Sequence, residues 1–189
     1  MDTLFSLLVG LGLAAACGFR VFVPLLVMSL ASRAELGQLV LGDNFAWIGS
    51  TPALIAFAAA TLLEIAGYYI PWVDNLLDAI ATPTAVVAGV LVTASSLGDV
   101  SPFLKWSLAV VAGGGTTAVF QGLTATARHI SSFATGGLGN PVLATAEAGG
   151  SALLSVLAIT VPVVAFVLVV CFLYFAAKRI LFRRPVRTA

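Results

Sequence analysis

Long apolar stretches separated by short polar pieces dominate the chain. The first apolar stretch covers residues 4–30, and the polar segment 32–50 separates it from the next. Thr51-Pro52 opens a second stretch that ends near residue 70, because Thr caps helix N-termini and Pro suits a first helical turn. A third stretch covers residues 71–97. We expect each stretch to cross a membrane as a helix, which needs about 20 apolar residues.

The second half of the chain has the same pattern. A fourth stretch, residues 103–130, is interrupted by Gly113, Gly114 and Gly115, where we expect a helix break or close packing. A polar loop is predicted over residues 131–140. The apolar run 141–180 would form a helix about 60 Å long, twice the thickness of the hydrocarbon core. It must therefore fold back, and we expect the turn near Thr160-Val161-Pro162.

The two halves of this pattern correspond. Gly18 interrupts the first stretch as the three glycines interrupt the fourth, and Asn140-Pro141 opens the fifth as Thr51-Pro52 opens the second. Repeats of three spans must have opposite orientations, an arrangement that recurs in small transporters. The alternative is that proline and glycine punctuate any protein with six spans.

The predicted fold class is an all-α integral membrane bundle of six transmembrane helices, built as two inverted three-helix repeats. The first repeat covers residues 1–98 and the second 99–180, and residues 181–189 form a basic cytoplasmic tail. Both termini are expected in the cytoplasm of a multi-pass inner-membrane protein, because basic residues concentrate there. These are Arg128, Lys178, Arg179, Arg183, Arg184 and Arg187, against only Arg33 and Lys105 on the other side.

Composition supports the membrane assignment. Of the 189 residues, 60% are hydrophobic and 9% charged, and the mean hydropathy is +1.10. A soluble domain has about 25% charged residues, so this chain lacks the polar surface to be one. A net charge of +1 argues against nucleic acid as a partner. No enzyme motif is present, and we expect no enzymatic activity.

Ionisable residues inside apolar stretches are the candidate site, because they cost free energy at membrane depth. Glu64 and Glu147 are each about six residues from the predicted cytoplasmic face. Asp74 and Asp78 open the third stretch from that face, four residues apart on one side of a helix. Four carboxylates near one face suit a bound metal cation or protons. The alternative for the two aspartates is interfacial placement in a first helical turn.

Other candidates are Arg20, Asn140 and Pro83. Arg20 either snorkels to the outer headgroups, pairs with a carboxylate or faces a pore, and snorkelling is the expected outcome. Asn140 is a candidate ligand because Asn140-Pro141-Val142 resembles the Asn-Pro-Ala corner of aquaporins, although an N-cap followed by Pro also explains it. Pro83, with Gly18 and the three glycines, is a candidate helix break or gate.

Two resemblances involve these residues. The segments Gly18-Phe19-Arg20, Pro71-Trp72-Val73-Asp74 and Gly139-Asn140-Pro141-Val142, together with Glu147, resemble a family of bacterial integral membrane proteins known only as a domain of unknown function. That resemblance covers nearly the whole chain and implies no substrate. The glycine triplet resembles that of trimeric intracellular cation channels, which also use inverted three-span repeats.

The sequence leads to two functional hypotheses. The first is a small channel or secondary transporter for a cation or a proton-coupled small solute, with its site between the repeats. The second is a non-transporting membrane subunit that binds lipid, pigment or a protein partner, in which case the acidic and basic residues pair with one another. Homo-oligomerisation is expected because Gly10, Ala14 and Gly18 form a small-residue seam. No cofactor other than a bound cation is indicated.

Overall fold

In the computed structural model, every regular element of the described residues is helical. The described residues are 3–37, 39–67, 69–98 and 100–181, without the side chains of 71–79 and 179–181. The helices are α1 (Thr3–Cys17), α2 (Phe22–Arg33), α3 (Thr51–Gly67), α4 (Pro71–Ser96), α5 (Pro102–Leu108), α6 (Gly115–Thr135), α7 (Asn140–Thr160) and α8 (Pro162–Leu181). A 3₁₀ helix, Asp43–Gly49, precedes α3, and a π-helical segment, Ala109–Gly114, joins α5 to α6.

The first apolar stretch forms a helical hairpin, which differs from the single span expected from the sequence. After α1 the chain reverses over residues 18–21, and α2 returns towards the level at which α1 began. Gly12 of α1 packs against Ala158 of α7. Gly37, which lies just beyond α2, packs against Ile159, the next residue of α7, so the two arms reach the same level of the bundle. At about 22 Å and 18 Å, α1 and α2 are each shorter than a hydrocarbon core. The two arms therefore enter and leave at the same end of the bundle.

The other helices surround this hairpin with alternating directions. Contacts at two levels determine their directions relative to α1. Helix α7 is antiparallel to α1, since Ala158 lies on Gly12 and Ser151 on Ala16, and α8 is parallel to it, since Ala165 lies on Gly12 and Phe172 on Phe19. Helix α4 is antiparallel, since Thr93 lies on Gly10 and Gly89 on Thr117, which bonds to Ala14. The bundle has two ends. The loop end holds Thr3, residues 34–37 and 39–50 and the turn at Val161, whereas the tip end holds the C-terminus of α8. The hairpin turn, residues 18–21, points towards the tip end but lies inside the bundle. Thr3 and Leu181 consequently lie at opposite ends of the bundle.

Several helix boundaries confirm the sequence predictions. The breaks at Thr51-Pro52, Pro71 and Val161-Pro162 lie where they were expected, because each proline occupies a first helical turn. The predicted loop 131–140 is wrong over most of its length. Helix α6 continues to Thr135 and ends on Gly136, whose φ of +62° is the left-handed conformation that favours glycine.

Two of the expected helix breaks are not breaks. At Gly113, Gly114 and Gly115 the chain stays helical but widens into the π-helical segment, so residues 102–135 form one long rod. Gly113 packs against Thr93 of α4, which confirms the expected close packing. Pro83 lies inside the continuous helix α4.

The outer surface and helix lengths are those of a membrane protein. Among the described residues, Pro102–Thr135 and Asn140–Thr160 are long and apolar enough to span a bilayer, and the bent pair of the 3₁₀ helix and α3 would make a third span. Within the residues whose side chains are described, the other apolar helical stretches are 10–17 residues long, namely Thr3–Cys17, Phe22–Arg33, Ile80–Ser96 and Pro162–Lys178. Large apolar side chains such as Leu63, Val111 and Phe133 are exposed on the bundle surface. Lipid contact is the setting in which such a surface is stable.

Candidate functional site

The turn of the α1–α2 hairpin is buried and is the centre of the candidate site. Gly18 makes the tight packing possible, because a Cβ at that position would collide with Phe120 of α6 and lie 3.0 Å from the Thr117 carbonyl oxygen. Phe172 of α8 lies beside Phe19, and α8 continues to Leu181, about 13 Å further. The turn is therefore inside the bundle, away from its end.

Glu64 of α3 caps the N-terminus of α2. Its Oε1 accepts the backbone N–H of Val21 at 2.8 Å, and its Oε2 accepts that of Phe22 at 3.1 Å. Helix N-termini carry unpaired N–H groups and a partial positive charge, which favour a carboxylate. This contact satisfies two donors of a helix start that has no other side-chain cap. Glu64, only 7% exposed, thus holds the hairpin against α3.

Glu147 of α7 lies between two buried arginines. Its Oε2 is 3.2 Å from Nη2 of Arg20, and its Oε1 is 3.4 Å from Nε of Arg128 on α6. The Arg20 Nη2 also donates to the Ala144 carbonyl one turn earlier in α7, at 3.0 Å. Both arginines are at most 2% exposed. Arg20 therefore pairs with a carboxylate, and the expectation that it snorkels to the headgroups is wrong.

Consecutive residues of the turn bring the two glutamates together. Arg20 binds Glu147, whereas Val21 and Phe22 bind Glu64, so both predicted glutamates meet at one turn as their matching depth suggested. The four charged side chains carry two positive and two negative charges. Mutual compensation is what permits ions at this burial, because an unpaired charge out of water costs several kcal/mol.

Hydroxyl groups of α6 and α7 complete the site, and the sequence analysis did not single them out. Thr117 donates to the Ala14 carbonyl at 2.7 Å, Ser151 to that of Ala16 at 2.9 Å and Thr124 to that of Gly18 at 3.2 Å. These carbonyls belong to the last turn of α1 and the turn that follows it. The carbonyl of Ala14 also accepts the backbone N–H of Gly18, and that of Ala16 those of Phe19 and Arg20, so the hydroxyls of Thr117 and Ser151 are additional donors there. A sequence signal was present, since Thr117 and Thr124 are seven residues apart on one helix face.

The remaining predicted residues are only partly placed. Asn140 is buried at the start of α7 and donates to the Ser132 hydroxyl at 2.9 Å. The side chains of Asp74 and Asp78 lie outside the described residues. Helix α4, which contains both positions, begins at the tip end of the bundle. Within the described part of the chain no three acidic, His or Cys side chains form a metal-binding group. The four-carboxylate metal site stays a prediction.

Two cavities flank the hairpin turn. One, of about 320 Å³, is lined by Val21 and Phe22 of α2, Ala60, Leu63 and Glu64 of α3, and Ile80, Ala81 and Thr84 of α4. We call it the Glu64 groove. The other, of about 370 Å³, lies between α7 and α8 and is lined by apolar residues that include Phe19, Phe120 and Phe172. A buried carboxylate lines only the first of them.

The comparisons with known proteins identify a family without identifying an activity. No curated protein and no solved structure matches the chain. A family model described as a domain of unknown function, DUF4126, matches residues 7–181, a range that includes the hairpin turn, both glutamates and both buried arginines. The chain therefore belongs to the DUF4126 family.

Proposed function

We propose that this protein is a membrane transporter that couples the movement of a small solute to protons or another cation at the hairpin turn. The observation that carries the proposal is the buried set of Arg20, Glu64, Arg128 and Glu147 around a helix reversal inside the bundle. Ionisable residues at membrane depth mark ion and substrate pathways. Reversed or broken helices are tolerated there where protein or water surrounds them, as in many transporters.

The contacts favour a proton over a metal ion as the coupling species. Glu147 already has two arginine partners, and both oxygens of Glu64 accept backbone N–H groups. Protonation of Glu147 would weaken its attraction to Arg20 and Arg128 at once, and so loosen α7 from the turn. The protein would then have two states, one with Glu147 ionised and α7 attached to the turn, and one with Glu147 protonated and α7 released. Coupling requires such a shift between two states by the bound proton.

The test is a flux assay with the full chain reconstituted in liposomes that contain a pH-sensitive dye. A panel of small cations, anions and neutral solutes is added under a pH gradient. We expect at least one solute to drive proton movement. Glu147→Gln should abolish that movement, whereas Asp43→Asn, which changes an exposed carboxylate of the 3₁₀ helix, should leave it intact. Unchanged flux in Glu147→Gln would refute the coupling role, and no flux for any solute would refute transport.

We also propose that the tip end faces the cytoplasm, because Lys178 lies in the last turns of α8 at that end and the sequence after α8 contains three more arginines. Residues 34–50 would then be outside, as the sequence analysis expected, but the amino terminus would be outside too. Single cysteines at Asn44 and Thr3, in a chain without Cys17 and Cys171, should both react with an impermeant thiol reagent on intact cells. Labelling of only one of them would contradict the hairpin topology.

The second candidate function is that of a non-transporting membrane subunit. One observation favours it: the charges at the turn pair with one another, as that hypothesis required, and apolar cavities flank them. The flux assay separates the two functions, because a subunit of this kind would move no solute in any condition.

A further inference from the structure

We propose that the Glu64 groove binds a lipophilic organic cation that enters sideways from the membrane. This inference deepens the proposed function, on which it rests, by naming a substrate class. The positive centre of the ligand would lie against the Glu64 carboxylate, and its apolar groups would occupy the groove wall.

The shape and position of the groove support lateral entry. Leu63 and Ile80, which are 73% and 53% exposed, line the groove where it opens to the bundle surface. Both are apolar, so the opening faces lipid rather than water. Among the described residues, helix α3 packs mainly on α2 and little on α4, and the groove lies between α3 and α4. The volume of about 320 Å³ lies at the lower end of the range for small-molecule sites.

The lining determines the charge of the ligand. Among the side chains that the structure describes, the wall is apolar except for the Glu64 carboxylate and the Thr84 hydroxyl, and none of these lining side chains is basic. The Thr84 hydroxyl donates its proton to the Ile80 carbonyl at 2.8 Å, so its oxygen offers lone pairs. An anion would meet this carboxylate without a counter-charge in the groove, whereas a cation is attracted to it. Attraction between opposite charges is strong in a site that excludes water.

The same carboxylate connects the groove to the hairpin. A cation that draws Glu64 towards the groove competes with the Val21 and Phe22 N–H groups for its oxygens. Binding in the groove would thus weaken the attachment of α2 to α3. This attachment lies directly after Arg20, the residue that binds Glu147. Ligand and coupling site are adjacent along the chain, at residues 20–22.

The experiment compares two ions of the same shape and opposite charge, tetraphenylphosphonium and tetraphenylborate, by calorimetric titration of the purified full chain in a neutral detergent. We expect the phosphonium to bind and the borate not to bind. Glu64→Gln should lower phosphonium affinity at least tenfold. Ala60→Phe, which fills the groove and keeps the carboxylate, should lower it too, so the result does not depend on the folding of the Gln variant.

Several outcomes would overturn the inference: equal binding of both ions, unchanged phosphonium affinity in Ala60→Phe, or unchanged affinity in a folded Glu64→Gln protein. The titration uses no membrane and no gradient. A protein that binds the phosphonium but shows no flux in liposomes would therefore refute the proposed transport and leave the site standing. Flux in liposomes without phosphonium binding would refute the cation site and leave the proposed transport standing.

Discussion

Glu64 and Glu147 are both carboxylates buried to the same degree, yet their charges are compensated in different ways. Glu147 is held by two arginine side chains, one from α6 and one from the α1–α2 turn. Glu64 is held by two backbone N–H groups at the start of one helix and lies beside a cavity that opens to lipid. One carboxylate belongs to an ion cluster, the other to a helix cap.

This difference determines what each residue can do. Removing the charge of Glu147 takes away a counter-ion that Arg20 and Arg128 share, so its loss affects α6, α7 and the α1–α2 turn. Removing that of Glu64 leaves uncharged N–H groups, whose cost is smaller because a neutral donor is easier to bury than an ion. The cap is therefore better suited to exchange partners with a ligand, and the cluster to fix the arrangement of helices.

The largest effect is expected for Glu147→Gln. Arg20 and Arg128 would remain buried without this counter-ion, and breaking a buried ion pair costs about 3–5 kcal/mol. Thermal unfolding of the purified protein in detergent should show a strongly lowered midpoint. The double variant Arg128→Met with Glu147→Gln removes one of the two arginines and should unfold at a higher temperature than Glu147→Gln alone. A double variant less stable than the single one would contradict the cluster.

A smaller loss is expected for Glu64→Gln. The Gln amide keeps one acceptor for Val21 or Phe22 but presents N–H to the other, so about 1.5–3 kcal/mol of charge-assisted bonding is lost. The same unfolding assay measures it. Thr61→Val is the matched control one turn earlier in α3, because the buried Thr61 hydroxyl has no hydrogen-bond partner among the described residues. If Thr61→Val destabilises as much as Glu64→Gln, the cap is not the cause.

The smallest of the three effects is expected for Gly18→Ala, which tests the packing of the turn that both carboxylates contact. The added methyl group would collide with Phe120, and overpacking of this kind costs about 1–3 kcal/mol. Gly122→Ala on α6, where a Cβ meets nothing within 4 Å, should not destabilise the protein. Equal midpoints for the two variants would mean that the turn can relax away from α6.

The sequence by itself determined the features that depend on local chemistry. Composition placed the chain in a membrane, since too few charged residues are present to cover a soluble domain. Proline positions determined where α3, α4 and α8 begin, because a proline fixes its own backbone and lacks an N–H. Burial cost singled out Arg20, Glu64 and Glu147 before any contact was known.

The tertiary structure alone decided direction and partners. Gly18 indicated an interruption of the first apolar stretch. A hydrophobic pattern, however, has the same appearance whether the chain continues straight or reverses. The reversal follows from the packing of the turn against α6, α7 and α8. The partner of Arg20 lies 127 positions away on α7, and Glu64 caps a helix that begins 42 residues earlier. Such pairings arise from helix packing, because the order of residues along the chain does not specify which helix faces lie against each other.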